Sequence, residues 1–498
     1  MSVLKKLAGD TVLYGLSSIV GRLLNWLLVF VHTRIFEQPR MLADNGQLYT
    51  YIIPLNILFT FGMETAFFRF GSKKENQAFV FSQIGSFLML WAGGLSLLLG
   101  IFANPIIDWL GFPGKGHLVQ WLAVVLWLDT LAALAFVRLR AQQRAKRFVG
   151  IKLLNIGITI GLQAFFFLGC DLILKGVHSP EWAPMARLFY NPANGPDYII
   201  IANLIASAAT LLLLSPEFKD YRWYFRWEQL QPIFRYAQPL VWMGLAGAIN
   251  LTADRILFLK LIPTNFYPGS TPEDAFSIYA QVYKLSIFMA LVVQAYRYAA
   301  DPLFFSKMGD KNSPKLIALS TQWFTIACVV IWVGVSLNLD WIGLFLGASY
   351  RVGIPVVPWL LLANLFIGVY GNMSIWLKLT DHTQTGTWIT LAGMTVAILG
   401  NVLLIPRFGY LGCAWTACLS SCTMVGLCYI LGQRVFPVPY ATGRLITYLA
   451  VGGGLIYGFS LISFPSLAVS AAVHITGLLV FSALLVIFEK KRQSHAPF

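Results

Sequence analysis

Residues 121–170 read WLAVVLWLDTLAALAFVRLRAQQRAKRFVGIKLLNIGITIGLQAFFFLGC. Two mostly apolar runs, near 118–138 and 148–170, flank a bridge carrying Arg138, Arg140, Arg144, Lys146 and Arg147. Each run is long enough to cross a hydrocarbon core, which takes about 20 residues as a helix. Lipid offers a backbone no hydrogen-bond partner, so an unbroken crossing has to be helical. A basic bridge between two such helices marks the cytoplasmic side. The stretch therefore reads as a pair of membrane spans joined inside the cell.

The same grammar runs through the whole chain of 498 residues. It is 57% apolar with a mean hydropathy of +0.69, and only 11% charged, where a soluble domain is about a quarter charged. By length and apolarity we place about fourteen spans. They lie near 10–35, 47–70, 78–103, 118–138, 148–170, 197–215, 232–261, 275–304, 314–337, 354–377, 385–405, 410–433, 442–462 and 467–488. The expected fold class is an all-α polytopic membrane protein of about fourteen transmembrane helices. No connection is long enough for a folded soluble domain, and the longest external one, about 171–196, reads as irregular surface rich in Pro, Gly and Asn. The first apolar stretch reads as a span, since it lacks a small-residue cleavage site.

The net charge of +15 would fit a nucleic-acid partner if it were clustered on one face. Instead it follows topology. With an inside start and alternating sides, the basic residues favour the inner segments about threefold, the bias of the positive-inside rule. Both termini are then cytoplasmic, no nucleic acid is called for, and Arg69, Arg138 and Arg140 read as interfacial anchors. The six cysteines (Cys170, Cys328, Cys413, Cys418, Cys422, Cys428) sit in apolar stretches without CxxC spacing. They read as small packing residues, with no metal site.

A weak internal repeat pairs 139–163 with 379–403, both joining the fourth to the fifth span of a six-span set, and 277–290 with 46–59. Six spans is an even number, so the halves would insert in the same orientation, related by an axis along the membrane normal. The expected division is a lobe over 1–220, a second over 221–437, and two extra spans with a tail over 438–498.

A charge at the centre of a span costs roughly 2.5–3.5 kcal/mol on insertion scales, so it needs water or a partner. Arg22 lies deep in span 1, with Asn25 three residues on and so on a neighbouring helix position. Glu64 lies on the inner part of span 2 and Asp129 near the middle of span 4. Asp254 and Arg255 close the outer half of span 7. Lys284 and Arg297 share span 8, about 20 Å apart along an α-helix. For Arg22, Lys284 and Arg297 the reading is a polar cavity. Asp254 and Arg255 either serve it or turn to other partners at the surface. Glu64 is read as an ion-pair partner for an arginine of span 1 or as a titrating group. Asp301, one turn after Arg297, either neutralises it or titrates. Cations at depth suit an anionic substrate, above all one bearing phosphate, which matches the guanidinium fork. The acids Glu64, Asp129 and Asp254 are candidates for coupling to H+ or Na+.

At these residues the chain resembles a known group. The segments YGLSSIVGRLLNWLLVFVHTRIF (14–36), GQLYTYIIPLNILFTFGMETAFFRF (46–70), LDTLAALAFVRLRAQQRAKRF (128–148), RYAQPLVWMGLAGAINLTADRILF (235–258) and IYAQVYKLSIFMALVVQAYRYAADPLFFSK (278–307) are similar to the bacterial polysaccharide-transporter proteins. These are Wzx-type flippases of the multidrug/oligosaccharidyl-lipid/polysaccharide (MOP) superfamily, which also holds the MurJ lipid II flippases. The likeness is spread over about 1–310 and is looser over 355–432. It implies two six-helix lobes around a cavity open alternately to each side, and a polyprenyl-linked saccharide as substrate. By that analogy Arg22, Arg255 and Arg297 lead the phosphate contacts, with Asn25 and Lys284 beside them. It also implies a cytoplasmic (inner) membrane location, membrane lipids as partners, no cofactor and no covalent chemistry. Rival readings are lipid II flipping, a MATE-type cation-coupled exporter, and a membrane glycosyltransferase, ligase or polymerase. The cationic spans and two extra helices speak against the exporter. A missing large external loop speaks against the enzymes.

Overall fold

A computed structural model describes residues 3–71, 74–177, 179–306, 313–380, 382–462 and 464–493. Among these residues the structure is helical throughout, with no strand. Twelve helices are long and apolar enough to cross a membrane, among them Gly116–Ala141, Ser313–Leu337 and Leu467–Lys491. The protein is a multi-pass membrane protein. Two further long helices, Val3–Ile35 and Thr442–Ser460, stand outside those twelve. The second carries Arg444 and three consecutive glycines, which dilute its apolar content. The chain divides into two compact units, Met1–Ile256 and Leu257–Phe498.

The first unit runs through α1 (Val3–Ile35), α2 (Ala43–Thr60), α3 (Met63–Phe70), α4 (Lys74–Ile101), α5 (Ala103–Leu110), α6 (Gly116–Ala141), α7 (Ala145–Ala164), α8 (Asp171–Leu174), α9 (Ala183–Phe189), α10 (Tyr198–Leu214) and α11 (Trp227–Leu261), whose last residues pass into the second unit. At its centre is α6, whose apolar window is 72% buried and which packs on α2, α4, α5 and α10. Small and aliphatic residues such as Ala123, Leu126, Ala132 and Ala135 allow that close approach, because helices in lipid are held by packing and not by exclusion of water. Leu97, Ile101 and Leu212 are largely exposed, as suits side chains facing hydrocarbon.

The second span is broken. Phe61 and Gly62 both take left-handed backbone conformations (φ 48° and 65°) between α2 and α3. For Phe61 that costs roughly 1–2 kcal/mol. Offsetting this, its ring stacks on Phe234 at 4.8 Å and packs edge-on against Phe87 and Trp91. Gly62 has no room for a side chain, since a Cβ there would stand 3.2 Å from the Ala237 carbonyl oxygen. The break turns Glu64 inward at the start of α3.

On the expected cytoplasmic side the structure corrects one reading. Arg138 is no interfacial anchor: it is buried, donates to the Glu217 carbonyl and, at 2.6 Å, to Asp220, and lies over the Phe81 ring. Buried Glu217 also receives Arg144 and Arg147 at 3.0 and 2.8 Å. This knot ties the bridge between α6 and α7 to the end of α10. The long connection near 171–196, expected to be irregular, is more ordered than that. It forms α8, α9 and short turns at Pro180–Trp182 and Pro192–Asp197, anchored by buried Tyr190, whose hydroxyl donates to Asp171 at 3.2 Å. Burial, and then the Asp171 carboxylate, push the Tyr190 phenol well above its ordinary range.

The second unit continues through α12 (Pro272–Tyr283), α13 (Ile287–Ser306), α14 (Ser313–Leu337), α15 (Leu339–Ile342), α16 (Val357–Met373), α17 (Ile375–Leu379), α18 (Thr383–Phe408), α19 (Tyr410–Val435), α20 (Thr442–Ser460) and α21 (Leu467–Gln493). A capping box between Thr271 and Asp274 starts α12, satisfying two of its free backbone donors. The eighth span is interrupted by a tight turn at Lys284–Ser286. Here α19 packs on α16 and α18, and α14 on α16. In the first unit α10 packs likewise on α6 and α7, and α4 on α6.

The last two helices are fastened to α14. A Cβ on Gly452 of α20 would meet Val333 at 3.0 Å and Trp332 at 3.4 Å, so the missing side chain is what lets α20 seat. Glu489, near the end of α21, is fully buried and accepts from Arg444 at 2.9 Å and from Tyr448 and Gln322. Elsewhere α21 turns outward, with Leu479, Leu484 and Ile487 largely exposed.

Candidate functional site

Within the first unit, polar residues placed at helical spacing in otherwise apolar spans converge. From α2 come Tyr49, Ile52 and Asn56, and from α3 Glu64. The α6 face supplies Leu122, Val125, Asp129, Ala132 and Phe136, and α7 supplies Lys152 and Asn155. Finally α10 gives Ile200, Asn203, Ser207 and Thr210. Intervals of three, four and seven residues keep each set on one helix face. Together they line a cavity of about 370 Å³.

Its walls are cross-braced. Asn203 donates to the Tyr49 hydroxyl. Asn155 donates to Thr210 Oγ1 at 2.8 Å, and that hydroxyl in turn donates to the Ala206 carbonyl at 2.8 Å. Two acids and two bases share the region. Glu64 accepts from Arg140 Nη2 at 2.9 Å. Lys152 has Asp129, Glu64 and Arg140 as its charged neighbours, and its Nζ lies 4.7 Å from the centre of the Phe136 ring. The Ser207 hydroxyl stands beside the Asp129 carboxylate, and Lys152 is that carboxylate's charged neighbour. The formal charges cancel. Charges of opposite sign placed together in this way lower the cost of putting such side chains at membrane depth.

Two residues singled out from sequence, Glu64 and Asp129, thus meet at one site. Glu64 has its arginine, but it is Arg140 of α6 and not one from span 1. The others lie elsewhere. Arg22 and Asn25 are exposed on α1, and among the described residues Arg22 has no ion-pair partner. Asp254 and Arg255, adjacent on α11, pair with each other. Arg255 Nε reaches the buried Asp254 carboxylate at 3.4 Å, and its Nη2 donates to the Leu251 carbonyl at 2.6 Å. In the second unit Lys284 sits in the tight turn of the eighth span and donates to Gln281 Oε1 at 2.9 Å. Arg297 is exposed on α13, and a Cβ on Gly371 of α16 would lie 3.8 Å from its Cδ, so that glycine leaves the guanidinium arm room. The side chain of Asp301 lies outside the described residues.

Sequence reasoning missed most of the cavity wall. Lys152 follows the basic bridge closely in sequence and does not stand out from it, yet it is well inside α7 and lines the cavity with Asp129 as a charged neighbour. A signal was present: Asn203, Ser207 and Thr210 recur at i, i+4 and i+7 within a span that is otherwise nearly all aliphatic. Polar residues at that spacing mark a face turned away from lipid.

No protein-family model matches the sequence, and no curated protein matches it. Solved structures do. The chain is similar to the lipid II flippase MurJ in an inward closed conformation, at 15% identity and a TM-score of 0.71, covering 95% of this chain and 98% of that one. It is similar to an inward-facing MATE family multidrug resistance transporter of the MOP superfamily, at 12% identity and a TM-score of 0.58, over 89% and 96% of the two chains. The MATE multidrug transporter DinF-BH gives 14% identity and a TM-score of 0.59 over 87% and 96%. This chain therefore has the fold of the MurJ and MATE transporters of the MOP superfamily.

Proposed function

We propose that the protein is a flippase that carries a polyprenyl-(pyro)phosphate-linked oligosaccharide across the cytoplasmic membrane by alternating access, for the synthesis of a surface polysaccharide such as O-antigen. The observation that carries this reading is the likeness to the MurJ flippase along 95% of the chain. The membrane is the inner one with both termini cytoplasmic, and the working lobes are 1–220 and 221–437, followed by the two extra spans of 438–498. Translocation of such a lipid needs no bond made or broken. It needs water and cations for the phosphate headgroup while the prenyl tail stays in hydrocarbon.

Arg22, Asn25, Arg255, Lys284 and Arg297 are the proposed headgroup contacts. Arg22 and Arg297 are exposed, and a guanidinium suits phosphate oxygens because it offers paired donors in a fixed plane. Of the acids proposed for H+ or Na+ coupling, Glu64 and Asp254 are engaged by Arg140 and Arg255, and Asp301 is proposed from sequence position alone. Asp129, open to the cavity, is the leading one. The test is Arg297→Ala in a cell whose surface polysaccharide depends on this protein. Export should fall at equal protein abundance, and Arg297→Lys should retain more of it than Ala; unchanged export in Arg297→Ala would sink the assignment.

Lipid II flipping is the second reading, supported by the higher TM-score to MurJ than to the MATE structures. It predicts arrest of peptidoglycan synthesis on depletion, with surface polysaccharide lost only as a consequence.

A further inference from the structure

The cavity of the first unit is lined by two carboxylates, Asp129 and the Arg140-paired Glu64, by several neutral oxygen donors and by one ammonium. Asp129, Asn56, Asn155, Asn203, Ser207, Thr210 and Tyr49 supply oxygens of the kind that cage an alkali cation. The Lys152 side chain lies in the same cavity with Asp129 as a charged neighbour. No ion pair joins them directly among the described residues, although both side chains line the one cavity. We propose that Lys152 is the resident cation of this site, excludes Na+ from Asp129, and leaves proton exchange at Asp129 as the coupling reaction.

The remaining charged and titratable groups do not relieve the exclusion. Glu64 of α3 is neutralised by Arg140 of α6 at 2.9 Å, Tyr49 of α2 is bonded by Asn203, and α10 contributes the neutral side chains Asn203, Ser207 and Thr210. Among the described residues no group of three or more His, Cys, Asp or Glu side chains could hold a metal. Two like unit charges about 5 Å apart at an effective dielectric of about 20 repel enough to weaken binding by about two to three hundredfold. Phe136, 4.7 Å from Nζ, stabilises the ammonium where it stands. In the balance of the step, a proton moves from water to an Asp129 carboxylate oxygen and returns to water. No metal enters.

This inference deepens the coupling part of the proposed function, but its readout does not involve saccharide. The full-length protein in lipid nanodiscs is titrated with NaCl against choline chloride at equal ionic strength, following the thermal midpoint and the binding of radioactive Na+. Wild type should show no Na+-specific response. Lys152→Met should gain one, with affinity raised by about two to three hundredfold, and Lys152→Met/Asp129→Asn should lose it again. A Na+ response of wild type that disappears in Asp129→Asn overturns the proposal, as does a folded Lys152→Met with no response. Should Lys152→Met fail to fold, Lys152→Gln is titrated in its place, and a folded Lys152→Gln without a Na+ response overturns the proposal. A failed flippase assay would leave these results untouched.

Discussion

The attachment of the last two helices turns on one buried carboxylate, and the cost of removing its support can be given a size. Glu489 has no exposed surface and takes three donors: Arg444 of α20, Tyr448 of α20 and Gln322 of α14. Arg444→Met strips away the only cation among them and leaves an anion sealed in protein. Breaking a buried pair from one side costs about 3–5 kcal/mol. The Arg444 side chain is 32% exposed, so water already screens the pair, and the lower end, about 3 kcal/mol, is expected. Glu489→Gln is milder, about 1–2 kcal/mol, because the partly exposed guanidinium can hydrate once its partner is neutral. The double variant Arg444→Met/Glu489→Gln should cost less than the two singles together, with a coupling of about 1–2 kcal/mol. Tryptophan fluorescence during denaturant unfolding in mixed micelles, run as a double-mutant cycle, reads these differences. Costs that add within about 0.5 kcal/mol, or a negligible cost for Arg444→Met, would refute the view that this pair fastens α20 and α21.

Three further outcomes follow from other parts of the fold. Gly62→Ala should destabilise by about 1–2 kcal/mol, since it places a Cβ at φ 65° and 3.2 Å from a carbonyl oxygen; unchanged unfolding would mean the break in the second span relaxes freely. Glu217→Gln should lower stability by about 2–4 kcal/mol, because Arg144 and Arg147 both depend on that buried carboxylate, while conservative change at the exposed Asp220 should matter much less; equal costs at the two positions in denaturant unfolding would contradict this. A cysteine at Asn25 should react with membrane-impermeant thiol reagents, as expected for a residue beside a watery path; protection in every condition that permits transport would remove Arg22 and Asn25 from the substrate route.

The fold was legible because lipid imposes a coarse rule. Long apolar runs are written locally, so the helical, multi-pass architecture could be read directly. Partner choice is not local. Nothing near Glu64 in sequence points to Arg140, and Arg138 looks like any basic residue at a span end until Glu217 and Asp220 are seen beside it. Glu489 precedes Lys490 and Lys491, so it reads as part of a charged tail and gives no sign that α14 and α20 will bury it. Lys152 was hidden in the same way, as one more positive charge after a basic bridge. Asp129 stood out because no other charge was near it in the chain. The short helices of 171–197 escaped notice because Pro, Gly and Asn mark turns well but do not reveal that Tyr190 and Asp171 will hold them together.

The most direct test of the central claim is to reconstitute the protein in liposomes with a short-chain polyprenyl-pyrophosphate-linked oligosaccharide in one leaflet. Appearance of the saccharide in the opposite leaflet is followed with an impermeant glycosidase. Protein-dependent transfer, reduced in Arg297→Ala and Arg22→Ala, is expected. Transfer no faster than in protein-free liposomes, with the lipid present and the protein folded, would contradict the account.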